Sequence, residues 1–391
     1  MAKAKSKASD KTKSRSGYPP ERRMVIDEKH TIGGYCSARP EQRRTFGANV
    51  SPGRERAIFV HEKKWVSGTR LNYYFFDRRD DGEWLLMNNG RQRFFSWVGG
   101  ESQKRVVRKA FKVWKEIGIG LDFAEVDNRE DAELRIGFMR DDGAWSYIGR
   151  DILNQGKNQR TMNFGWNLTG ADGLDTALHE IGHTLGMPHE HQNPNAGIVW
   201  DEDEVYRRLD EPPNEWSRED TFHNIIRKIV PDTVVGSDWD RDSIMHYSFR
   251  AGMILVPEEF RTGPLIPAPG LSARDTAWVG QTYPEISDED IAEMKVFKSH
   301  CVTLGPGEQF NSSFTPVETR RYSIATFGPT DMVLTLFEKT SDGEQFIGGD
   351  DDSGEERNAK LVLRLVKGRT YLIRARQFYS WDRGEAAVMA Y

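Results

Sequence analysis

The chain has 391 residues, with 55 Lys and Arg against 60 Asp and Glu, and a formal net charge of −5. That balance argues against general nucleic-acid affinity, and no apolar run reaches the roughly 20 residues a membrane helix needs. The length accommodates two domains, and 37% hydrophobic with 11% aromatic residues is a globular composition, while two cysteines single out no redox compartment.

Residues 1–16 form a basic tail. Lys3, Lys5, Lys7, Lys11, Lys13 and Arg15 lie among Ala and Ser with Asp10 as the sole acid, so the segment is expected to stay solvated. No secretory signal is visible in it, because neither an apolar core nor a cleavage site follows. Residues 17–63, with Pro19-Pro20, Gly33-Gly34 and many Arg, read as a pro-segment or irregular wrap. Further on, strands are expected at Leu71 to Phe76, Leu121 to Val126, Glu133 to Met139 and Thr161 to Phe164. The last two are expected to include the edge on which an extended peptide pairs. An amphipathic helix is expected from Gln103 to Ile117, with Val106, Ala110, Val113, Trp114 and Ile117 on one face.

A second helix is expected from Gly173 to Leu185, with Asp172 or a neighbour as N-cap and Gly186 as its stop. It carries His179 and His183 four residues apart, so both imidazoles leave one face and can hold one metal ion. Glu180 lies beside them, within reach of a water at that ion. Gly186 permits the left-handed turn that returns His189 as a third ligand. Three protein ligands leave a fourth position open, the arrangement of a catalytic zinc site.

Downstream lies Ser243-Ile244-Met245-His246-Tyr247. With the extended His179-Glu180-x-x-His183-x-x-Gly186-x-x-His189 pattern, it resembles the metzincin metalloproteases and their methionine turn. Glu190, after the third His, and Tyr247, two past the Met, resemble the astacin family within that clan. Ala144-Trp-Ser-Tyr-Ile-Gly-Arg150, Trp65 with Gly68, Leu71 and Tyr73, and Leu271-Ser-Ala-Arg-Asp275 extend the similarity over residues 64–300. The resemblance implies an α+β metzincin catalytic domain, a mixed sheet plus helices in two subdomains around a cleft. It also implies one catalytic Zn²⁺, protein or peptide substrates and an extracellular setting. By the same resemblance Tyr247 is a fifth, movable zinc ligand that swings to the transition state, Glu190 anchors the mature N-terminal region and His246 is structural. Met245 is expected as an apolar floor rather than a ligand, since thioethers prefer softer metals. Two departures stand out: animal astacins carry two disulfides where this chain has only Cys36 and Cys301, and Asn193 replaces the family's Arg.

Past Cys301, short apolar runs at Tyr322 to Thr326, Met332 to Phe337, Leu361 to Leu365, Tyr371 to Ala375 and Ala386 to Ala390 predict a small all-β sandwich over residues 304–391. It resembles bacterial pre-peptidase C-terminal domains, which implies contact with substrate, matrix or polymer. Asp350, Asp351 and Asp352 read as a solvated acidic turn or a Ca²⁺ site. Because no expected catalytic residue lies beyond Tyr247, the sandwich is expected to be separable from catalysis. The expected activity is zinc-dependent peptide-bond hydrolysis with Glu180 as general base. Two alternatives stay open: a matrixin-like enzyme without the tyrosine switch, and a catalytically silent, zinc-containing adhesion protein. Cys36 is a candidate latency ligand, because a thiolate binds zinc strongly; a free thiol or a Cys36–Cys301 disulfide is the alternative.

Overall fold

The computed structural model describes residue 36 and residues 63–391, apart from 88, 213, 230–237, 288–290, 306–307, 342, 356–357 and 379–382. The expected tail of residues 1–16 lies outside the described residues, as does the expected pro-segment except Cys36 and Lys63.

Strand β1 (Arg70–Phe75) is apolar on both faces because both are covered. Leu71, Tyr73 and Phe75 enter the main core, whereas Tyr74 and the following Phe76 pack with Ala132 and Trp97 on the other side. A hairpin follows, β2 (Gly82–Leu86) against β3 (Gln92–Ser96), antiparallel. Next come β4 (Asp122–Glu125), β5 (Leu134–Gly137), β6 (Ala144–Ser146) and β7 (Met162–Phe164), which join β1 in the order β4-β1-β5-β7-β6. The first four of that order run parallel and β6 is antiparallel to β7. The strand at that edge of the sheet is therefore β6, not the segments expected from the sequence. After β5, the backbone turns through positive φ at Asp141 (65°) and Gly143 (67°). Residues 144–146 are thereby laid down outermost, and β7 later fills the gap between them and β5.

Helix Glu101–Lys115 buries Val107, Ala110, Phe111 and Trp114, with Val106, Val113 and Ile117 at the margin. Its inward face is turned about one position from the expected one, and Ile117 lies beyond its end, because Phe111 takes the centre by stacking on Tyr73 at 4.4 Å. The motif-bearing helix, Gly173–Thr184, crosses it, and the Trp114 indole donates to the Leu178 carbonyl at 3.1 Å. Asp172 is its N-cap by position but makes no side-chain cap bond.

Below the cleft a second core gathers Trp200, Val205, Leu209, Trp216, Tyr247, Phe249 and Phe260, with Cys36 among them. They come from β8 (Val199–Trp200), β9 (Ile254–Val256), helix Glu202–Leu209 and the connecting loops. Helix Ala273–Thr282 instead packs Val279 and Trp278 against the main core; a capping box between Ser272 and Asp275 starts it. The mixed sheet and helices thus frame a cleft, as the fold class predicts.

The C-terminal region is a sandwich of two sheets built from β10 (Ile291–Glu293), β11 (His300–Leu304), β12 (Gln309–Phe314), β13 (Arg320–Phe327), β14 (Met332–Thr340), β15 (Gly343–Asp350), β16 (Lys360–Leu365), β17 (Tyr371–Gln377) and β18 (Gly384–Ala390). One sheet runs β10-β12-β17-β14-β15 and the other β11-β18-β13-β16. The five strands expected from apolar runs are β13, β14, β16, β17 and β18. The others carry weak apolar signals: β10, β11 and β15 are partly exposed edges, and β12 is Asn- and Ser-rich. β10 and all of β11 but Leu304 precede residue 304 yet pair within these sheets, so the sandwich takes in chain from before the expected boundary. The Asp350 carboxylate accepts from Ser353 N (3.0 Å), Ser353 Oγ (2.5 Å) and Lys360 N (2.7 Å), which closes its own turn and supports the acidic-turn reading over the Ca²⁺ one. Cys36 and Cys301 are both free thiols, one buried and one exposed, so the alternative disulfide is absent. No described helix is long and apolar enough to cross a membrane.

Candidate metal centre

The end of the motif-bearing helix is a Schellman turn. Gly186 sits at φ 90°, its N–H donates to the His183 carbonyl at 2.8 Å, and Met187 N donates to Gly182 O at 3.0 Å. This turn does two things for His183. It sends the chain back so that His189 approaches, with His183 Nε2 and His189 Nε2 3.0 Å apart. It also points the Met187 carbonyl at His183 Nδ1, 2.8 Å away, which puts the proton on Nδ1 and leaves the Nε2 lone pair facing inward. His179 is fixed likewise by its Nδ1 contact to the Ile244 carbonyl at 2.7 Å.

Among the described residues one group is placed to hold a metal ion: Cys36, His179, His183 and His189, all buried, with ligand atoms within 4.8 Å of one another. Burial pushes His179 down to about 4, and burial reinforced by neighbouring imidazoles pushes His183 and His189 well below the ordinary histidine range. Neutral imidazole is the ligating form. His179 Nε2 is buried with no hydrogen-bond partner in the structure, an orphan that a metal would satisfy. Three nitrogens and a sulfur are donors that Zn²⁺ prefers, so the residues fit the ion that the motif implies.

Glu180 is buried beside this group, its Oε2 3.5 Å from Cys36 Sγ, and burial raises its carboxyl to about 8. Cys36 Sγ also lies 3.6 Å from His183 Nε2. The Tyr247 hydroxyl is 2.7 Å from His189 Nε2 and donates to the Cys36 carbonyl at 2.5 Å. The site residues expected from sequence are thus brought together, Cys36 included.

Met245 lies under the helix, where a Cβ added to Gly182 would meet its Sδ at 2.4 Å. The floor therefore requires a glycine inside the motif, at a position that the motif itself leaves as a spacer. Asp275 is a further site residue that the motifs do not single out. Its buried carboxylate accepts from Ser243 Oγ (2.7 Å), Ile244 N (2.8 Å) and Ser272 N (2.9 Å), while the Ile244 carbonyl faces His179. The signal available for it is Ser272 three residues ahead of an acid, a capping-box spacing. Glu190 directly follows the third histidine. Its Oε1 accepts from Asn193 Nδ2 and Asp240 N, both at 3.0 Å, so it ties the loop before the methionine turn to the third-ligand segment. Asn193, which stands at the family's Arg position, is thus Glu190's partner. His191 and His246 stay outside the metal group: His191 Nε2 meets the Asn224 carbonyl at 2.9 Å, and His246 Nδ1 meets the Tyr247 carbonyl at 2.8 Å.

Residues 94–254 match the family model of the astacin peptidases. The chain is 28% identical to mouse (Mus musculus) Tolloid-like protein 1 over 262 residues, 59% of this chain and 24% of that protein. It is 27% identical to Xenopus laevis bone morphogenetic protein 1 over 254 residues, 58% of this chain and 33% of that protein. The chain thus spans a quarter to a third of these curated relatives. Among solved structures, one described as "Structure of myroilysin" aligns at 27% identity and a TM-score of 0.49, covering 58% of this chain and 98% of that one. The helix-borne histidines, the Schellman return and the methionine turn all lie within residues 94–254, the stretch that is similar to the astacin peptidases, and a β-sandwich follows it.

Proposed function

We propose that the chain is a zinc-dependent metalloendopeptidase in which His179, His183 and His189 hold the ion and Glu180 is the general base. The observation that carries this reading is the convergence of three buried, neutral imidazoles on one point with a buried carboxyl beside them. Zn²⁺ held there supplies a Lewis acid that polarises a carbonyl and acidifies water. Glu180 handles the proton: its carboxylate takes one from the attacking water and returns it to the departing amine. The Tyr247 hydroxyl, held on the same point, donates to the oxygen that gains negative charge during attack. The outer edge of β6, on which the Cys36 thiol meets the Ser146 backbone, is the edge on which an extended protein segment would pair once Cys36 is displaced. In the test, Glu180→Gln keeps the bound metal and loses at least about a hundred-fold in turnover of a denatured protein. Full activity in that variant sinks the mechanism, whereas no turnover by the metal-loaded unaltered protein after trimming beyond residue 36 favours the silent adhesion protein.

Cys36 is proposed as the latency ligand. Its thiol rests on Glu180 and His183 while its carbonyl takes the Tyr247 hydroxyl, so one residue occupies the base, the metal's open side and the oxyanion donor. Cys36→Ser is expected to hydrolyse substrate without N-terminal processing. Equal activity of the unaltered chain before and after trimming beyond residue 36 overturns the assignment.

A further inference from the structure

The sequence predicts a sandwich separable from catalysis, yet the sandwich reaches the metal helix through one short strap. Residues 64–68 run between the two domains, and three of their backbone carbonyls are taken by sandwich side chains. Arg376 donates to Lys64 O at 3.0 Å, Gln309 Nε2 to Ser67 O at 3.0 Å and Arg374 to Gly68 O at 2.9 Å. Arg374 is held from behind by Glu344 of β15 at 2.7 Å. The approach is close: Gly68 sits at φ 86°, and a Cβ there would fall 2.2 Å from the Arg374 guanidinium. Arg374 and Arg376 are both buried. Removing either would leave carbonyls of the strap without donors in a region closed to water.

The other side of the strap caps the metal helix. The Trp65 indole donates to Thr184 O at 2.8 Å. The Tyr283 hydroxyl donates to Leu185 O at 2.6 Å and accepts from Trp65 N at 3.3 Å. Thr184 and Leu185 directly follow His183, and their carbonyls are among the four that a helix C-terminus leaves without internal partners. Trp65 and Tyr283 are buried, so this cap is a packed contact and not a solvated one.

We propose that the C-terminal sandwich is a working part of the catalytic unit: Arg374, Arg376 and Gln309 are positioning residues that pin the 64–68 strap, through which Trp65 and Tyr283 hold the His183 end of the metal helix. The structural coupling stands on these contacts alone, and its effect on turnover rests on the peptidase reading above.

The test uses the full chain for hydrogen exchange and, because Cys36 is proposed to hold the full chain latent, the same chain carrying Cys36→Ser for kinetics. Arg374→Met, Arg376→Met and Gln309→Met are compared with Arg369→Ala, which breaks an exposed ion pair elsewhere on the sandwich. Hydrogen exchange is read at the amides of Leu185, Gly186 and Met187, and kcat and KM are read on a short peptide. The expected result is exchange at these three amides faster by about ten-fold or more and a lower kcat at unchanged KM, while Arg369→Ala changes neither. Arg376→Lys, which keeps a donor for Lys64 O, is expected to recover most of the protection. Should an arginine variant fail to fold, Gln309→Met removes a single neutral donor and carries the same reading. Unchanged exchange at residues 185–187 in the variants that fold overturns the proposal. Glu180→Gln separates the two ideas: it leaves exchange at the helix end intact, and persisting turnover in it defeats the peptidase reading without touching the coupling.

Discussion

Each side chain at the centre has its reactive atom aimed by a backbone carbonyl or by burial. His179 and His183 each direct one ring nitrogen to a carbonyl, which commits the other to the metal side. Tyr247 is aimed by packing, its ring 4.5 Å from the rings of both His189 and His191. Tyr247→Phe should therefore keep the fold and metal content while kcat falls by roughly ten- to a thousand-fold, the range for one lost oxyanion donor. A kcat equal to that of the unaltered protein, measured with metal content confirmed, favours the matrixin-like alternative. Residue chemistry was the most legible level of this sequence. Imidazole, carboxyl and phenol at fixed offsets carry their roles with them, whereas Gly182 acts through the atom it lacks and becomes visible only when Met245 is packed against it.

At the scale of elements, the helix and its turn were readable because they are local. Hydrogen bonds three to five residues apart fix them, and Gly186 is the residue that a left-handed exit requires. The methionine turn is held differently, by Asp275 from a helix some thirty residues further on. Asp275→Asn keeps the shape but removes the charge that two backbone N–H groups and a hydroxyl address. We expect metal affinity to drop by about 10–100-fold, the usual effect of disturbing a partner behind a ligand, here relayed through Ile244 to His179. Competition with a chelator of known affinity measures it, and an unchanged dissociation constant refutes the relay. The edge strand was misplaced for a related reason: strand order depends on the reversal at residues 141–143 and on where β7 returns, neither of which follows from the apolar pattern of a strand.

At the scale of the whole molecule, the two domains meet over buried cations. Lys64 is buried with its ammonium 5.0 Å from the Trp278 ring, and burial, reinforced by Arg376, lowers it to about 7. Its unfolded value is near 10.5, so between about 7 and 10.5 the unfolded chain binds more protons than the folded one and stability rises with pH. Lys64→Met removes this titration. The variant should be the more stable of the two, by a margin that is flat below about pH 7 and narrows above it by at most about 1.4 kcal/mol per pH unit. Denaturant unfolding of both proteins at pH 6.5, 7.5 and 8.5 checks the sign. A margin that widens with rising pH would mean that the ammonium is stabilised at this interface.

The sequence by itself determined the local frame of the candidate site: the spacing of the three imidazoles and the carboxyl, the glycine stop and the sandwich grammar of the last third. These depend on residue identity and on spacings short enough for one helix, one turn or one strand to enforce. Only the tertiary structure decided what brings distant segments to that frame. It set Cys36 against Glu180, Asp275 beneath the methionine turn, β6 at the sheet edge and Arg374 with Arg376 behind the strap that caps the metal helix. Those pairings join residues tens to hundreds of positions apart. They follow from how the cores bury their apolar faces and satisfy their remaining carbonyls, which no periodicity along the chain encodes.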